Sequence, residues 1–571
     1  MYDMHEEKGI EMSKHSSAFN TIPSVLSIPE KLNAWIRKLL GLRFPVERHF
    51  SGRDLLLTAC AGLVLLLSVL FRALAPLRLY ACVLAALAAA VPIALQGYRM
   101  IRQKKSPLEE CTWLLAAVLA MLIGEMTAAP LILVFADLLM QAEAYSLLHL
   151  DAAADYLADS DLKLRHAVET ADTEKSPERR ALSSASLGFY MLYVLVALVF
   201  AVCTLFHMAD YRNWLHRALV FLVLSSPSAV LFSSLLTHFG AIYSASKAGI
   251  LYDSDVTPEE FARCRLFAFS KTGTVTDGRF IVSEIAPVGV SEEELLRIAA
   301  VAECRSEHPI AMTLKAAAGL REGVVPQGVL ETKEIPGKGV STFFSGHHIY
   351  VGNAGLLEEN GIWYQIPAKT GSAIHVAVDS TYRGYLMISD ALRENAFEAL
   401  EELRALGVST LVMLTGDVRS GARTLASSLN FDMVKPELSP EEKGSAIRYL
   451  RSAHGDSARI ACVGDGFHDA DMFREADISV CLEPKADAPG ADVSIFSGEI
   501  SRIPLAFRIC RTTERTLLIN STVLLAVKLL LGILGAAAVF QTGLVATLDF
   551  AFGAAATVYA LTCLTLEKRG A

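Results

Sequence analysis

Cysteine pairs are missing from this chain of 571 residues, because its ten cysteines occur singly and none forms a C-x-x-C motif. We therefore expect reduced thiols in a cytoplasm-facing or membrane-buried protein, without a cysteine-type metal-binding arm. An excess of positive charge is also missing, since the net charge is −9, and we expect no nucleic-acid partner. We expect no signal peptide with a cleavage site before the first apolar run.

Charged residues are scarce, at 20% of the chain against 53% apolar residues. This composition is too apolar for an ordinary soluble protein, and the chain is long enough for several domains. Several apolar runs reach the length of about 20 residues that a helix needs to cross the hydrocarbon core. We predict about eight transmembrane helices, at residues 55–71, 80–95, 111–123, 131–140, 187–206, 218–236, 517–540 and 544–564. The runs 111–123 and 131–140 are short, and the alternative for them is a buried helix of a soluble core.

The basic residues near the first two runs predict the orientation of the chain. They lie before the first run and after the second, at Arg37, Lys38, Arg43, Arg48, Arg53, Arg99, Arg102, Lys104 and Lys105. By the positive-inside bias both clusters face the cytoplasm. An even number of spans then places both termini and the polar stretch 237–514 in the cytoplasm. We expect an integral protein of a bacterial plasma membrane, in contact with the lipid bilayer.

The long polar stretch alternates strand-like and helix-like segments. "LFAF", "LVMLTGD" and "IACVGDG" each have the pattern of a buried strand that ends in a polar loop, and "NAFEALEELRALG" has helical spacing and a glycine stop. This alternation predicts a parallel α/β sheet whose three polar loops converge at the carboxyl ends of the strands. Residues 280–382 have a different pattern, with several glycines and mixed alternation of apolar and polar residues. We predict an inserted α+β domain there.

The predicted domain order follows from these segments. Residues 1–50 form a cytoplasmic tail, 51–150 hold helices 1–4, and 151–186 form a short polar insert. Residues 187–236 hold helices 5 and 6, and 515–571 hold helices 7 and 8 with the C-terminal tail. Residues 237–279 and 383–514 form one domain around the insertion at 280–382.

Six short motifs occur in one order along the chain: "SKTGTVTDG", "SEHPIA", "GKGV", "MLTGD", a lysine after "PEE", and "VGDG". The first and the last three resemble the phosphorylation domain of P-type ATPases, which has a haloacid dehalogenase-like fold. "SEHPIA" and "GKGV" resemble the nucleotide-binding domain of the heavy-metal (P1B-type) branch. The resemblance covers nearly the whole chain, including the arrangement of spans, and it implies adenine nucleotide and Mg²⁺ as ligands.

The resemblance assigns roles to individual residues. Phosphoryl transfer depends on positioning and on charge neutralisation, so its site needs a nucleophile, Mg²⁺ ligands and donors to the phosphate oxygens. By the family pattern, the phosphoryl-transfer site comprises Ser270, Lys271, Thr272, Thr415, Gly416, Asp417 and Lys443. Asp465 and Asp469 would form the Mg²⁺ site. The nucleotide pocket would be lined by Glu307, His308, Gly337 and Gly339.

Several positions depart from the family pattern. Ser270 stands where the family has the nucleophilic Asp, and a serine hydroxyl has no charge at neutral pH and no second oxygen for Mg²⁺. His468 replaces an Asn; we expect a surface or packing role, with an improvised general base as the alternative. The segment 151–186 replaces an actuator domain of about one hundred residues, and it contains no Thr-Gly-Glu motif.

The membrane site is also altered. Ser226-Pro227-Ser228 stands where the family has Cys-Pro-Cys, so the helix break remains but the soft thiolates that hold Zn²⁺ or Cd²⁺ are gone. Lys528 and Asp549 lie in the last two spans and, with Asn520, resemble the zinc, cadmium and lead subgroup. Their roles are open between a structural ion pair and a metal site. Glu125 and Asp137 are further acids at or near membrane depth, and we count Glu125 in the degenerate membrane site.

These departures leave three hypotheses for the function. The first is a catalytically degenerate pump that binds nucleotide and Mg²⁺ without forming an aspartyl phosphate, with a regulatory or scaffolding role beside an intact pump. The second is a working ATP-driven Zn²⁺/Cd²⁺ exporter with unusual chemistry. The third is a membrane-anchored phosphatase of the haloacid dehalogenase type, which needs the same missing Asp. The losses at four separate motifs favour the first hypothesis.

Overall fold

The computed structural model describes residues 52–70, 75–103, 107–142, 144, 177–252, 258–321, 324–367, 372–455, 458–484 and 491–563. The predicted N-terminal tail and most of the predicted insert 151–186 lie outside the described residues. The chain divides into two compact units. We call Met1–Lys247, Ser254–Glu259 and Ile509–Ala571 the helical unit, and Ala248–Asp253 and Glu260–Arg508 the α/β unit.

The helical unit is built from long apolar helices. In chain order they are α1 (Gly52–Leu70), α2 (Ala75–Arg102), α3 (Leu108–Leu122), α4 (Ala128–Ala142), α5 (Pro177–Phe206), α6 (Tyr211–Leu224), α7 (Ser228–Lys247), α16 (Arg502–Ala536) and α17 (Thr542–Leu561). Each of the eight predicted runs overlaps a helix, although α5 begins at Pro177, inside the predicted insert. Within the described residues, five helical segments are long and apolar enough to cross a membrane. The count of eight stays a prediction.

Small side chains line the contacts among the first four helices. Ala85, Ala89, Ala116, Ala120 and Ala129 are each at most 1% exposed and belong to one buried cluster. Lipid tails are as apolar as the helix surfaces, so helices associate in a bilayer mainly through close packing. Alanine permits this close approach, and the outward faces of α1 and α2 carry exposed leucines that suit a lipid environment.

A seven-stranded sheet forms the core of the α/β unit. Its strands are β1 (Ile250–Tyr252), β2 (Leu266–Ser270), β9 (Thr410–Leu414), β10 (Met433–Lys435), β11 (Ile460–Gly464), β12 (Ile478–Leu482) and β13 (Val493–Ile495). Their order in the sheet is β1-β13-β12-β11-β2-β9-β10, and all neighbours are parallel except β1 and β13. Every residue of β2, β11 and β12 is buried, as expected for a sheet covered on both faces. The predicted α/β fold is confirmed.

Five helices lie between the strands of this sheet in the chain and pack with it. They are α8 (Pro258–Ala262), α12 (Ala396–Ala405), α13 (Arg419–Ser428), α14 (Pro440–His454) and α15 (Ala470–Glu475). Helix α14 begins with a capping box, in which the Ser439 side chain accepts from the Glu442 amide and the Glu442 side chain accepts from the Ser439 amide. This cap fixes the first turn of α14 and thereby the position of Lys443.

A second sheet of six antiparallel strands lies between β2 and β9 in the chain. It consists of β3 (Thr276–Pro287), β4 (Val329–Ile335), β5 (Gly339–Phe344), β6 (His347–Gly352), β7 (Ser372–Val378) and β8 (Thr381–Leu392), in the order β3-β8-β7-β6-β5-β4. Helices α9 (Glu292–Ala302), α10 (Pro309–Ala317) and α11 (Ala354–Glu359) accompany it. The predicted α+β insertion at 280–382 falls inside this interval.

The two glycines of "GKGV" differ in their surroundings. Both have a positive φ, 73° at Gly337 and 141° at Gly339. A Cβ on Gly339 would meet the carbonyl oxygen of Val351 at 2.2 Å, whereas a Cβ on Gly337 would meet nothing within 4 Å. Gly339 therefore permits the close approach of β5 and β6. This packing role does not depend on any ligand.

We predict that Gly339→Ala destabilises β5 and β6 far more than Gly337→Ala. Each change places alanine at a positive φ, at a cost of about 1–2 kcal/mol, but only the first also collides with backbone. Amide hydrogen exchange of the full-length protein in detergent measures this as a loss of protection in 339–352. Equal protection in the two variants would contradict the packing role of Gly339.

Candidate functional site

Three loops meet at the carboxyl ends of neighbouring strands in the seven-stranded sheet. Strand β2 pairs in parallel with β9 on one side and with β11 on the other. Their loops carry the residues of "SKTGTV", "TGD" and "GDGFHD". Contacts between these loops, described below, show the convergence that the strand pattern predicts.

Ser270 is the last residue of β2 and lies at the centre of this edge, with 1% of its surface exposed. Lys443 Nζ donates to Ser270 Oγ at 3.1 Å and to Asp469 Oδ1 at 2.7 Å. Asp469 is fully buried, and its other oxygen accepts from the Asp465 amide at 3.1 Å. Lys443 thus forms an ion pair with Asp469 and donates a hydrogen bond to Ser270 from the same ammonium group.

Lys271 lies between two carboxylates. Its Nζ is 2.5 Å from Asp390 Oδ2 and 2.6 Å from Asp417 Oδ2. Burial alone would lower the pKa of Lys271, but hydrogen bonds and charge from Asp390 and Asp417 outweigh it and raise the pKa above its ordinary value. The lysine therefore stays charged at neutral pH. Asp390 is a residue that sequence reasoning missed, although it follows the apolar run "YLMIS" at the end of β8.

The turn after Ser270 is held against the neighbouring loop. Gly273 has φ 73°, and a Cβ there would come within 3.2 Å of the Asp465 Cβ. Arg393 donates to the Gly273 carbonyl at 3.1 Å and to the Gly498 carbonyl at 2.6 Å. The glycine thus permits close approach to Asp465, and the guanidinium fixes the carbonyl of the turn. Sequence reasoning missed Arg393, because nothing in "ALREN" indicates a partner 120 residues away.

His468 contacts the acid that the family pattern assigns to Mg²⁺. Its amide and its Nδ1 are 3.0 and 2.8 Å from the Asp465 carboxylate oxygens, and its side chain is 66% exposed. The expected surface position is correct, but the ring also occupies one face of Asp465. The Asp465 carboxylate is an oxygen donor of the kind that Mg²⁺ prefers, whereas both oxygens of Asp469 already accept hydrogen bonds, from Lys443 and from the Asp465 amide.

The remaining predicted donors lie in the same loops. Thr415 is buried, and its Oγ1 accepts from the Asp417 amide at 3.1 Å. Thr272 and Gly416 are exposed at this edge of the sheet. These positions suit groups that meet a ligand from solvent.

The second predicted motif caps a helix of the six-stranded domain. His308 is the N-cap of α10, and its Nδ1 accepts from the Ile310 amide at 3.3 Å, so the proton of a neutral ring sits on Nε2. Glu307 and Gly337 are exposed. Thr342 in β5 donates to the Ala302 carbonyl at 2.8 Å, which joins the strand after "GKG" to the helix before "SEHPIA".

Glu303 is a buried acid at the base of this segment, and sequence reasoning missed it. Burial raises its pKa to about 7, reinforced by the charge of Glu334 and opposed by a hydrogen bond with Ser306 and by Lys315. Lys315 Nζ donates to the Ser306 carbonyl at 2.8 Å. The loop before His308 is therefore held in place by contacts among the buried polar residues Glu303, Ser306 and Lys315.

In the helical unit, the helix containing Ser226-Pro227-Ser228 is broken as predicted. Helix α6 ends at Leu224 and α7 begins at Ser228. Ser226 and Ser228 both donate from Oγ to the same oxygen of Glu109, in the first turn of α3. Glu109 is therefore a partner of the Ser-Pro-Ser segment that sequence reasoning missed, since it comes 117 residues earlier than Ser226.

The predicted contact between Lys528 and Asp549 is present. Lys528 is 1% exposed, and its Nζ lies 2.7 and 2.9 Å from the two Asp549 oxygens and 3.2 Å from the Leu224 carbonyl. Asn520 Nδ2 donates to the Ala556 carbonyl at 3.1 Å, which joins α16 to α17. These contacts support a structural role for the pair.

Glu125 lies beside His216 in the structure, and its assignment to the membrane site stays a prediction. Glu125 Oε1 is 2.7 Å from His216 Nδ1, and Thr542 contacts the same imidazole nitrogen at 3.1 Å. Glu109 lies in the first turn of α3, a helix of 15 residues that ends at Leu122, and Glu125 follows its C-terminal end. At 1.5 Å per residue they are separated by roughly 20 Å. Asp137, fully buried, accepts from Thr58 instead.

Comparisons with known proteins agree with this geometry. Residues 264–477 match the family described as haloacid dehalogenase-like hydrolase. A zinc-transporting ATPase of Synechocystis is 32% identical over 388 residues, covering 66% of this chain and 53% of that protein. A cadmium, zinc and cobalt-transporting ATPase of Bacillus subtilis is 32% identical over 395 residues, covering 68% and 56%. The chain thus spans little more than half the length of these relatives.

A solved structure shows the same fold. The crystal structure of a zinc-transporting PIB-type ATPase in an E2.Pi state has a TM-score of 0.59 at 21% identity, covering 90% of this chain and 100% of that one. The chain is an integral membrane protein with a haloacid dehalogenase-like domain. By homology it belongs to the heavy-metal (P1B-type) family of P-type ATPases, and the predicted family is confirmed.

We predict that Lys443→Met destabilises the α/β unit more than Ser270→Ala. The first change leaves the buried Asp469 carboxylate without its cation, at a cost of about 3–5 kcal/mol, whereas the second removes one hydrogen bond worth about 1 kcal/mol. Urea unfolding of the full-length protein in detergent, followed by hydrogen exchange of β2 and β11, measures both. Equal losses of stability in the two variants would mean that the Lys443–Asp469 ion pair contributes little to the stability of the α/β unit.

We predict that the six-stranded domain loses stability as pH rises from about 4.5 to 7. The raised pKa of Glu303 means that the folded state retains the proton while the unfolded state releases it, so stability falls across this window and levels off above it. The full effect is up to about 3 kcal/mol. Glu303→Gln should flatten this part of the stability profile, and an unchanged slope in the variant would contradict the assignment.

Proposed function

We propose that the chain is a P1B-type ATPase relative that binds adenine nucleotide and Mg²⁺ but forms no aspartyl phosphate, and that it acts as a regulatory or scaffolding subunit beside an intact pump. The observation that carries this proposal is Ser270, buried at the end of β2 with Lys443 Nζ 3.1 Å from its Oγ. Acyl phosphate formation needs a carboxylate at this position, and the hydroxyl cannot supply one.

The surroundings of Ser270 also argue against a serine nucleophile. A serine needs an adjacent base to become reactive. Lys443 is committed to Asp469 as a charged donor, and Lys271 is held by Asp390 and Asp417. The cations at this edge are therefore paired with acids and not available to accept the serine proton.

The same arrangement favours ligand binding. Lys443, Thr415 and the amides of the turn after Ser270 are donors of the kind that phosphate oxygens accept. Asp465 would hold Mg²⁺, which neutralises charge on those oxygens when it is bound. His308, with its Nε2 proton directed away from α10, and the open surface at Gly337 would meet the nucleoside part.

The relatives that transport zinc or cadmium favour a second candidate, a working ATP-driven exporter of Zn²⁺ or Cd²⁺. That function requires a phosphorylated intermediate and its hydrolysis. Ser270 opposes the first step. The segment 151–186, which stands in the sequence where the family has its actuator domain, opposes the second because it has no Thr-Gly-Glu motif.

We predict that no acyl phosphate forms when the full-length protein is incubated with labelled ATP, Mg²⁺ and Zn²⁺ and then quenched in acid. Ser270→Asp should gain a hydroxylamine-sensitive label. This label should persist, because the Thr-Gly-Glu loop that hydrolyses the phosphoenzyme in the family is missing from the segment 151–186. Ser270→Ala is the matched control and should stay unlabelled. A hydroxylamine-sensitive label on the unchanged protein would establish the exporter instead.

The binding half of the proposal is measured separately. A fluorescent ATP analogue should bind the unchanged protein and Ser270→Ala alike, with Mg²⁺ increasing the affinity of both. Failure to bind at millimolar analogue would refute the nucleotide role while leaving the absence of phosphorylation intact.

A further inference from the structure

The start of α6 carries an arginine inside an apolar, membrane-spanning segment. Arg217 lies in the second turn of this helix, which begins at Tyr211. Among the residues that the structure describes, Arg217 forms no ion pair with an Asp or Glu, and its Nε is buried without a hydrogen-bond partner. A charged side chain within a membrane helix is costly, so such residues usually have a partner or a function. The partner of this guanidinium has to be sought.

The acids close to Arg217 in the helical unit have other partners. Glu125 contacts the neighbouring imidazole, that of His216, at 2.7 Å. Asp210, in the connection before α6, accepts from Asn213 Nδ2 at 2.5 Å. Within the described part of the chain, the positive charge of Arg217 is therefore left for a group that the protein itself does not supply.

Aromatic rings hold the guanidinium in place. The Cζ of Arg217 lies 4.7 Å from the centroid of the Trp214 ring. His207 stacks on the same indole at 5.1 Å with an interplanar angle of 12°, and Phe200 of α5 contacts it at 6.0 Å. A cation over an aromatic ring is attracted by the ring quadrupole. This contact uses the face of the guanidinium and leaves its in-plane N–H donors for a further ligand.

The surface beside this cluster is apolar. Leu205, Phe206 and Met208, at the end of α5 and just after it, are each at least 69% exposed. Exposed apolar side chains at the end of a membrane helix suit contact with lipid, and Trp and Tyr are enriched at the level of the headgroups. A ligand that satisfies both features has an anionic group at headgroup level attached to an apolar body.

We propose that Arg217 and Trp214 form a binding site for an anionic phospholipid, in which the guanidinium donates to the headgroup phosphate. The fork of an arginine suits a phosphate because two parallel N–H groups meet two oxygens. The acyl chains lie against the exposed apolar residues at the end of α5. A headgroup that carries its own ammonium is disfavoured, because this ammonium repels Arg217. The site uses no residue of the proposed nucleotide site, so the two proposals are independent.

The test is thermal unfolding of the purified full-length protein in a nonionic detergent, titrated with short-chain phosphatidylglycerol or with phosphatidylcholine of the same chain length. Ionic strength is held constant, so that charge screening does not differ. We expect phosphatidylglycerol to raise the Tm by about 2 °C or more and the increase to saturate. Phosphatidylcholine and inorganic phosphate should have a much smaller effect, the first because of its ammonium and the second because it lacks an apolar body.

Two arginines of the same helix provide a matched comparison. Arg217→Gln should raise the half-saturating concentration of phosphatidylglycerol by about tenfold or more, which corresponds to one hydrogen bond to a charged group. Arg212→Gln removes the same charge nearby and should leave this concentration unchanged. Arg212 is a suitable control because it is exposed and its Nε donates to the Tyr211 hydroxyl at 3.2 Å.

Several results would overturn the proposal. Equal weakening in the two arginine variants would show a general attraction between charges and no site. Equal stabilisation by inorganic phosphate would exclude a lipid, and so would the absence of any effect of phosphatidylglycerol on the unchanged protein.

A second measurement uses the unchanged protein and does not depend on the folding of Arg217→Gln. Phosphatidylglycerol with brominated chains should quench the fluorescence of Trp214 more strongly than brominated phosphatidylcholine does. The Trp214 contribution is identified as the part of the signal that is lost in Trp214→Phe. Equal quenching by the two lipids would contradict the site.

Discussion

The parallel pairing of β2 with β9 and β11 is the constraint on which the α/β unit depends. The three strands are fully or largely buried and end at the same edge of the sheet. The loops that follow them therefore lie close together. A buried charge without a partner would destabilise the fold. Here ion pairs join the loops: Lys443 pairs with Asp469, and Lys271 pairs with Asp390 and Asp417. Lys443 has Asp469 as its charged partner and Ser270 as a neutral one.

The loss of the carboxylate at 270 also changes the balance of charge at the edge. A charged nucleophile would repel the anionic phosphate of a ligand as it approaches, and a neutral hydroxyl does not. Under the proposed function, a neutral residue at 270 would favour prolonged binding of an anionic ligand at this edge.

Much of this arrangement could be predicted from sequence because it depends on local pattern. Alternation of apolar runs and polar loops located β2, β9 and β11, and Pro227 located the helix break. The contacts that escaped prediction all join residues distant in the chain. Glu109 contacts Ser226, Asp390 contacts Lys271, and Arg393 contacts Gly273, and no spacing rule links such pairs. The contact of Glu125 with His216 is of the same kind, since 91 residues separate the two in the chain.

Arg393 has a mechanical consequence for the α/β unit. The chain passes between the two sheets twice, once after β2 and once after β8, and Arg393 lies on the second crossing while Gly273 and Val275 lie on the first. Its guanidinium holds the Gly273 carbonyl, and its amide donates to the Val275 carbonyl at 3.0 Å. The two crossings are therefore fastened into one hinge. A movement of the six-stranded sheet about these crossings would therefore act on the turn that follows Ser270.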